Sequence, residues 1–193
     1  MKHLACLSAL FLIGFSPVRA QSPEAIAKAL LPLPEDLKAG AAVFVYDEKG
    51  ERKVWRAGTN NVECMPKDPK DGFTRCYSKV TADRRDFQAK LKAEGKSDKE
   101  LTDLTAAAVK DGRIKAPQFG TMSYRYSDDP KVIKLLWVMS VPNQTPESLG
   151  VSVTSQRDAA LKGKGMPWMM LPGTPGAHIM IPINNTPLSN TEN

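Results

Sequence analysis

Two cysteines, Cys64 and Cys76, with eleven residues between them, constrain this chain more than any other feature. Pro66, Pro69 and Gly72 lie in the interval and let the backbone double back. If the thiols meet, the residues flanking each become neighbours. Closing a loop of this size stabilises a fold by about 3 kcal/mol in the chain-entropy description. A redox-active dithiol is the alternative, but catalytic pairs typically sit two residues apart at a helix N-terminus, so the spacing points to a structural bridge.

Whether the thiols oxidise depends on the compartment, and the N-terminus speaks to that. Lys2 supplies a positive charge, Leu4 to Phe15 are mostly apolar, and Val18-Arg19-Ala20 places small residues where signal peptidase reads them. An apolar run of about a dozen residues falls short of the ~20 that a spanning helix needs. Residues 1–20 therefore read as a cleavable bacterial secretory signal peptide. Cys6 stands at the beginning of the apolar run, whereas a lipidated cysteine stands at its end. Cleavage before Gln21 leaves a periplasmic or secreted chain of 173 residues whose two thiols are Cys64 and Cys76. Disulfides persist in such compartments, and the length suits one domain with its own core.

The net charge of +6 falls to +4 once Lys2 and Arg19 are removed, with 25 basic against 21 acidic residues. The excess lies between Pro66 and Lys115, where acids interrupt each basic group, as in Asp83-Arg84-Arg85-Asp86. Such mixed charge reads as a solvated face, while nucleic-acid binding wants an uninterrupted basic stripe. The expected partner is a small molecule or a cell-envelope component, with no nucleic acid and no transmembrane segment in the mature chain.

Ser22-Pro23-Glu24 caps and starts a helix that runs to Leu31 and is ended by Pro32 and Pro34. Val43 to Tyr46, the turn Asp47-Glu48-Lys49-Gly50 and Lys53 to Arg56 read as a hairpin. Strands over 61–65 and 73–78 each carry one cysteine. Helices are expected over 81–93 and 98–110, the second capped by the Ser97/Glu100 box and carrying an apolar stripe of Leu101, Leu104, Ala108 and Val109. Further strands are expected over 121–126, 132–141 and 177–183, with a short helix over 154–161. The expectation is a single α+β domain over residues 21–183, with a small antiparallel sheet, two to three helices and one disulfide, followed by a disordered tail over 184–193.

The sequence holds no G-x-S-x-G elbow, H-E-x-x-H, EF-hand loop or Walker motif, and implies no cofactor. His178 is the sole histidine of the mature chain, so any Ser-His or Cys-His catalysis must use it. One histidine and two bridged cysteines do not supply the ligands that zinc prefers. The reading favours a non-catalytic domain binding a ligand or partner, with a hydrolase built on carboxylates or His178 as the alternative.

Four of the seven mature methionines, Met166, Met169, Met170 and Met180, lie within fifteen residues together with His178. Three prolines and three glycines fix the backbone there, and the plain reading is a tight loop over 172–176 leading into a core strand. A sharper reading is a Cu(I) site, because thioethers are soft ligands. On a strand His178 and Met180 share a face, and the loop would fold Met166 or Met169 back toward them. The Pro-Trp-Met-Met, Pro-Gly-Thr-Pro-Gly and Ala-His-Ile-Met runs, the Leu-Pro-Leu-Pro-Glu-Asp-Leu-Lys-Ala-Gly stretch at 31–40 and the two cysteines resemble a group of uncharacterised exported bacterial proteins. The resemblance implies export and one domain, and brings no activity.

Overall fold

The computed structural model describes residues 22–190. The expected signal peptide lies outside them. The helices are α1 (Pro23–Ala29), α2 (Glu35–Lys38), α3 (Ala82–Ala93), α4 (Asp98–Lys110), α5 (Pro146–Leu149) and α6 (Arg157–Ala160). The strands are β1 (Ala42–Tyr46), β2 (Arg52–Arg56), β3 (Val62–Met65), β4 (Thr74–Ser78), β5 (Met122–Tyr126), β6 (Leu135–Ser140), β7 (Trp168–Met170) and β8 (His178–Pro182). All eight strands form one sheet in the order β2-β1-β3-β4-β5-β6-β8-β7.

Helices and a sheet are present as expected, but the sheet is large rather than small and is mixed rather than antiparallel. Six helices among the described residues replace the two or three expected. The parallel contact is β1 with β3, through Ala42 opposite Glu63 and Val43 opposite Cys64. After β2 the chain crosses the start of β1 to reach its far side. Gly58 makes that crossing possible, since a Cβ there would stand 2.4 Å from the Ala42 backbone nitrogen. Local pattern does not reveal this, because short connections usually join antiparallel neighbours. The helices α2 and α5 are single turns, too short to carry an amphipathic period.

Cys64 and Cys76 stand directly opposite one another on β3 and β4 and are joined by a disulfide. Both are fully buried in a core with Ala29, Leu30, Leu33, Val43, Val62 and Tyr124. This core lies between one sheet face and α1, whose exit is tied down by a hydrogen bond from Trp137 Nε1 to the Pro32 carbonyl, 3.1 Å.

Residues 184–190, expected to belong to a disordered tail, are instead hydrogen-bonded to the body. Asn184 Nδ2 donates to the Gly165 carbonyl, the Lys134 amide donates to Asn190 Oδ1, and Asn190 Nδ2 donates to the Val132 carbonyl. The asparagine side chains pair with main-chain groups that the sheet ladder leaves over. No helix among the described residues is long and apolar enough to cross a membrane.

Candidate ligand-binding face

Because strand side chains alternate, the register fixes which residues share the second face of the sheet. One row crosses six strands: Glu63, Tyr77, Ser123, Val138, Met180 and Trp168. A parallel row on one side holds Met65, Arg75, Arg125, Leu136 and Pro182, and on the other Ser140, His178 and Met170. Helix α3 covers the β1–β4 end of this face, and α4 packs against α3. Ala160 of α6 packs near Trp168 and Val138 at the other end.

Beneath α3 lies a charge network in which Arg85 Nε is left buried without a hydrogen-bond partner. Glu63 is buried and bonded by both Arg52, at 2.8 Å, and Arg85. Asp86 accepts from Arg52 Nη2 at 2.7 Å and from the Tyr46 hydroxyl at 2.6 Å. Arg52 lies 3.9 Å over the Phe44 ring, and Arg85 4.6 Å over that of Tyr77. Burial and the adjacent Asp86 carboxylate push the Tyr46 phenol well above its ordinary range. Two guanidinium groups thus answer two carboxylates, which makes this a structural clamp joining α3 to β1–β3.

Two neighbouring arginines make no side-chain hydrogen bond to a described residue. Arg84 on α3 is half-buried and its side chain hydrogen-bonds to no described residue, and burial presses its guanidinium below the ordinary value. Arg125 on β5 is also half-buried without a described acceptor. Burial and then the charge of Arg75, directly opposite, lower it. Arg75 has its own partner, Asp71, in a two-pronged pair at 3.0 and 2.5 Å.

Between α3 and the sheet runs a cavity of about 250 Å³, lined by Arg84, Arg85, Gln88, Tyr77, Thr81, Thr121, Met122, Ser123, Val138, Ser140 and His178. No acidic residue is among them. Arg125 is the next residue on the same face as Ser123. A second cavity of about 310 Å³ adjoins it across Tyr77, Arg85 and Gln88, and there Arg75 and Lys92 stand with Asp68 and Asp71. The first can hold a small anion against arginine, hydroxyl and amide donors, with Val138 and the Tyr77 ring as an apolar wall.

The methionine and histidine candidates are partly brought together. His178 and Met170 are direct cross-strand neighbours, and Met180 shares their face. Met169 does not join them, since it points to the opposite face and is 1% exposed among Val141, Ala177 and Ile179. Met166 is 66% exposed and precedes β7 at the end remote from His178, so the expected folding back of Met166 or Met169 does not occur. Met170 takes that place, because residues 168–170 form a strand rather than a loop. No group of three His, Cys, Asp or Glu side chains converges as a metal site among the described residues.

For the hydrolase reading, Ser140 stands opposite His178 on β6, but no hydrogen bond joins the side chains. His178 Nδ1 instead lies 2.8 Å from the Gly176 carbonyl.

Arg84 and Arg125 were missed in the sequence because Arg84 sits in a charge-alternating helix and Arg125 among strand residues with no motif. Comparison of the chain with protein-family models, with curated proteins and with solved structures finds no match in any of the three, so the functional reading rests on this geometry.

Proposed function

We propose that this protein is an exported, non-catalytic binding domain of the cell envelope that takes a small organic or inorganic anion between α3 and the sheet. One observation carries the reading: Arg84, half-buried and with no side-chain acceptor, lines together with Arg85 a cavity that no carboxylate lines, and Arg125 stands on the same sheet face two residues beyond the lining residue Ser123. A buried cation without a partner costs stability, and a ligand carboxylate or phosphate answers that cost with charge-assisted hydrogen bonds. The hydroxyls of Thr81, Thr121, Ser123 and Ser140 add donors and acceptors for the rest of the ligand.

A hydrolase would need a base held against a nucleophile, and the sole mature histidine is turned toward a backbone carbonyl. The disulfide and the character of residues 1–20 support export.

The test is a thermal-shift screen of acetate, benzoate, citrate, glucuronate, sulfate and inorganic phosphate, run beside a turnover screen on esters, phosphate esters and glycosides. A ligand at a hundred times its Kd stabilises by about 2.7 kcal/mol, which such a screen resolves. Stabilisation by at least one of these anions without turnover is expected. Robust turnover, lost in His178→Ala, would replace this reading with the hydrolase.

A further inference from the structure

We propose that His178, Met170 and Met180 form a site for a soft monovalent cation, Cu(I), at the β7 edge of the sheet. The register puts the His178 and Met170 side chains directly opposite one another on one face, with Met180 two residues farther along that face. Opposed side chains on paired strands start about 5 Å apart at Cβ, and diagonal ones about 7 Å, which flexible methionine side chains span.

The imidazole is oriented for this role. Its Nδ1–H donates to the Gly176 carbonyl at 2.8 Å, which leaves the lone pair of Nε2 free, and Nε2 hydrogen-bonds to no described residue. A backbone carbonyl on the remote ring nitrogen is the usual second partner of a metal-ligating histidine. Met170 is 39% exposed and gives access from solvent. Met180 lies between Val138 and Trp168, which shield the inner side of the site.

Charge sets the selectivity. All three ligands are neutral, no carboxylate lines the adjoining cavity, and Arg84 stands across it from His178. That surrounding penalises a divalent ion more than a monovalent one, since the repulsion scales with charge. Thioether sulfur adds preference for a soft ion, so Cu(I) is favoured over Cu(II) and Zn(II). The inference does not rest on anion binding: His178 also lines that cavity, but Met170 and Met180 do not.

The experiment is an anaerobic competition titration of the mature protein with Cu(I) against bicinchoninate, repeated with Cu(II) and Zn(II). It is run on wild type, His178→Ala, Met170→Leu, Met180→Leu and Met166→Leu. Retention of a single Cu(I) is expected, with binding weakened about tenfold or more in each of the first three variants and unchanged in Met166→Leu. Met170 is exposed and leucine conserves volume, so loss in Met170→Leu with an unchanged circular dichroism spectrum does not arise from unfolding. X-ray absorption of the loaded protein is expected to show both sulfur and nitrogen neighbours. Failure of wild type to hold Cu(I) against the chelator, or wild-type affinity in both Met170→Leu and Met180→Leu, would overturn the assignment.

Discussion

Arg75 and Arg125 stand directly opposite one another on β4 and β5, and only Arg75 is hydrogen-bonded to a carboxylate, that of Asp71, which attracts Arg125 from farther away. Like charges placed so are destabilising, and the burial of Arg125 adds to the cost. Removing Arg125 is therefore expected to stabilise the ligand-free protein. Arg125→Met keeps most of the side-chain stem and should gain about 0.5–2 kcal/mol, the range seen when an unfavourable functional group is removed. Urea unfolding measures it, and a loss of similar size would show that Arg125 serves the fold.

The Arg75–Asp71 pair gives the face a defined acid response. The Arg75 hydrogen bonds hold the Asp71 carboxyl below its ordinary value of 3.8. A depressed carboxyl stabilises while charged, so its contribution is present above pH 3.8 and is lost as pH falls through the lower folded-state value. Asp71→Asn should cost about 0.5–1 kcal/mol at pH 7, the size for a partly exposed pair. The difference from wild type should shrink progressively as pH falls below 3.8, and urea unfolding at pH 7 and at successively lower pH values checks this.

Gly58 lies where the chain crosses the start of β1, and an added Cβ would meet the Ala42 backbone rather than a movable side chain. Gly58→Ala is expected to destabilise by about 1–3 kcal/mol, as overpacking typically does. Gly112→Ala is a useful contrast, because its Cβ meets nothing within 4 Å and its cost comes from positive φ alone. Thermal unfolding of the two variants separates steric from conformational cost.

The Cys64–Cys76 bridge closes a loop between two adjacent strands within the core. Cys64→Ala/Cys76→Ala is expected to lose about 3 kcal/mol, and mass spectrometry of untreated protein should show two hydrogens fewer than the reduced form. The same spectrum on protein from the native envelope should begin at Gln21. Retention of Met1 would contradict export by a cleaved signal.

Much of the fold was legible locally. The β1–β2 hairpin followed from β-branched and aromatic residues on either side of Asp47 to Gly50, and α4 from its capping box, because these are short-range preferences. The β1–β3 pairing was not legible, since it depends on Gly58 passing the backbone of Ala42 sixteen residues earlier, and no motif marks that approach. The site was the least legible part. Arg84 and Arg125 come from elements forty residues apart in sequence, and Met170 replaces Met169 as the neighbour of His178 only because residues 168–170 extend as an edge strand.

The central claim is that Arg84 and Arg125 hold a small anion against the sheet. Isothermal titration calorimetry of wild type, Arg84→Gln and Arg125→Gln with the best anion of the thermal-shift screen tests it directly. A single-site isotherm is expected for wild type, with affinity falling about tenfold or more in each variant, as loss of one charge-assisted hydrogen bond requires. No binding by wild type to any anion of the screen, or wild-type affinity in both variants, would contradict it.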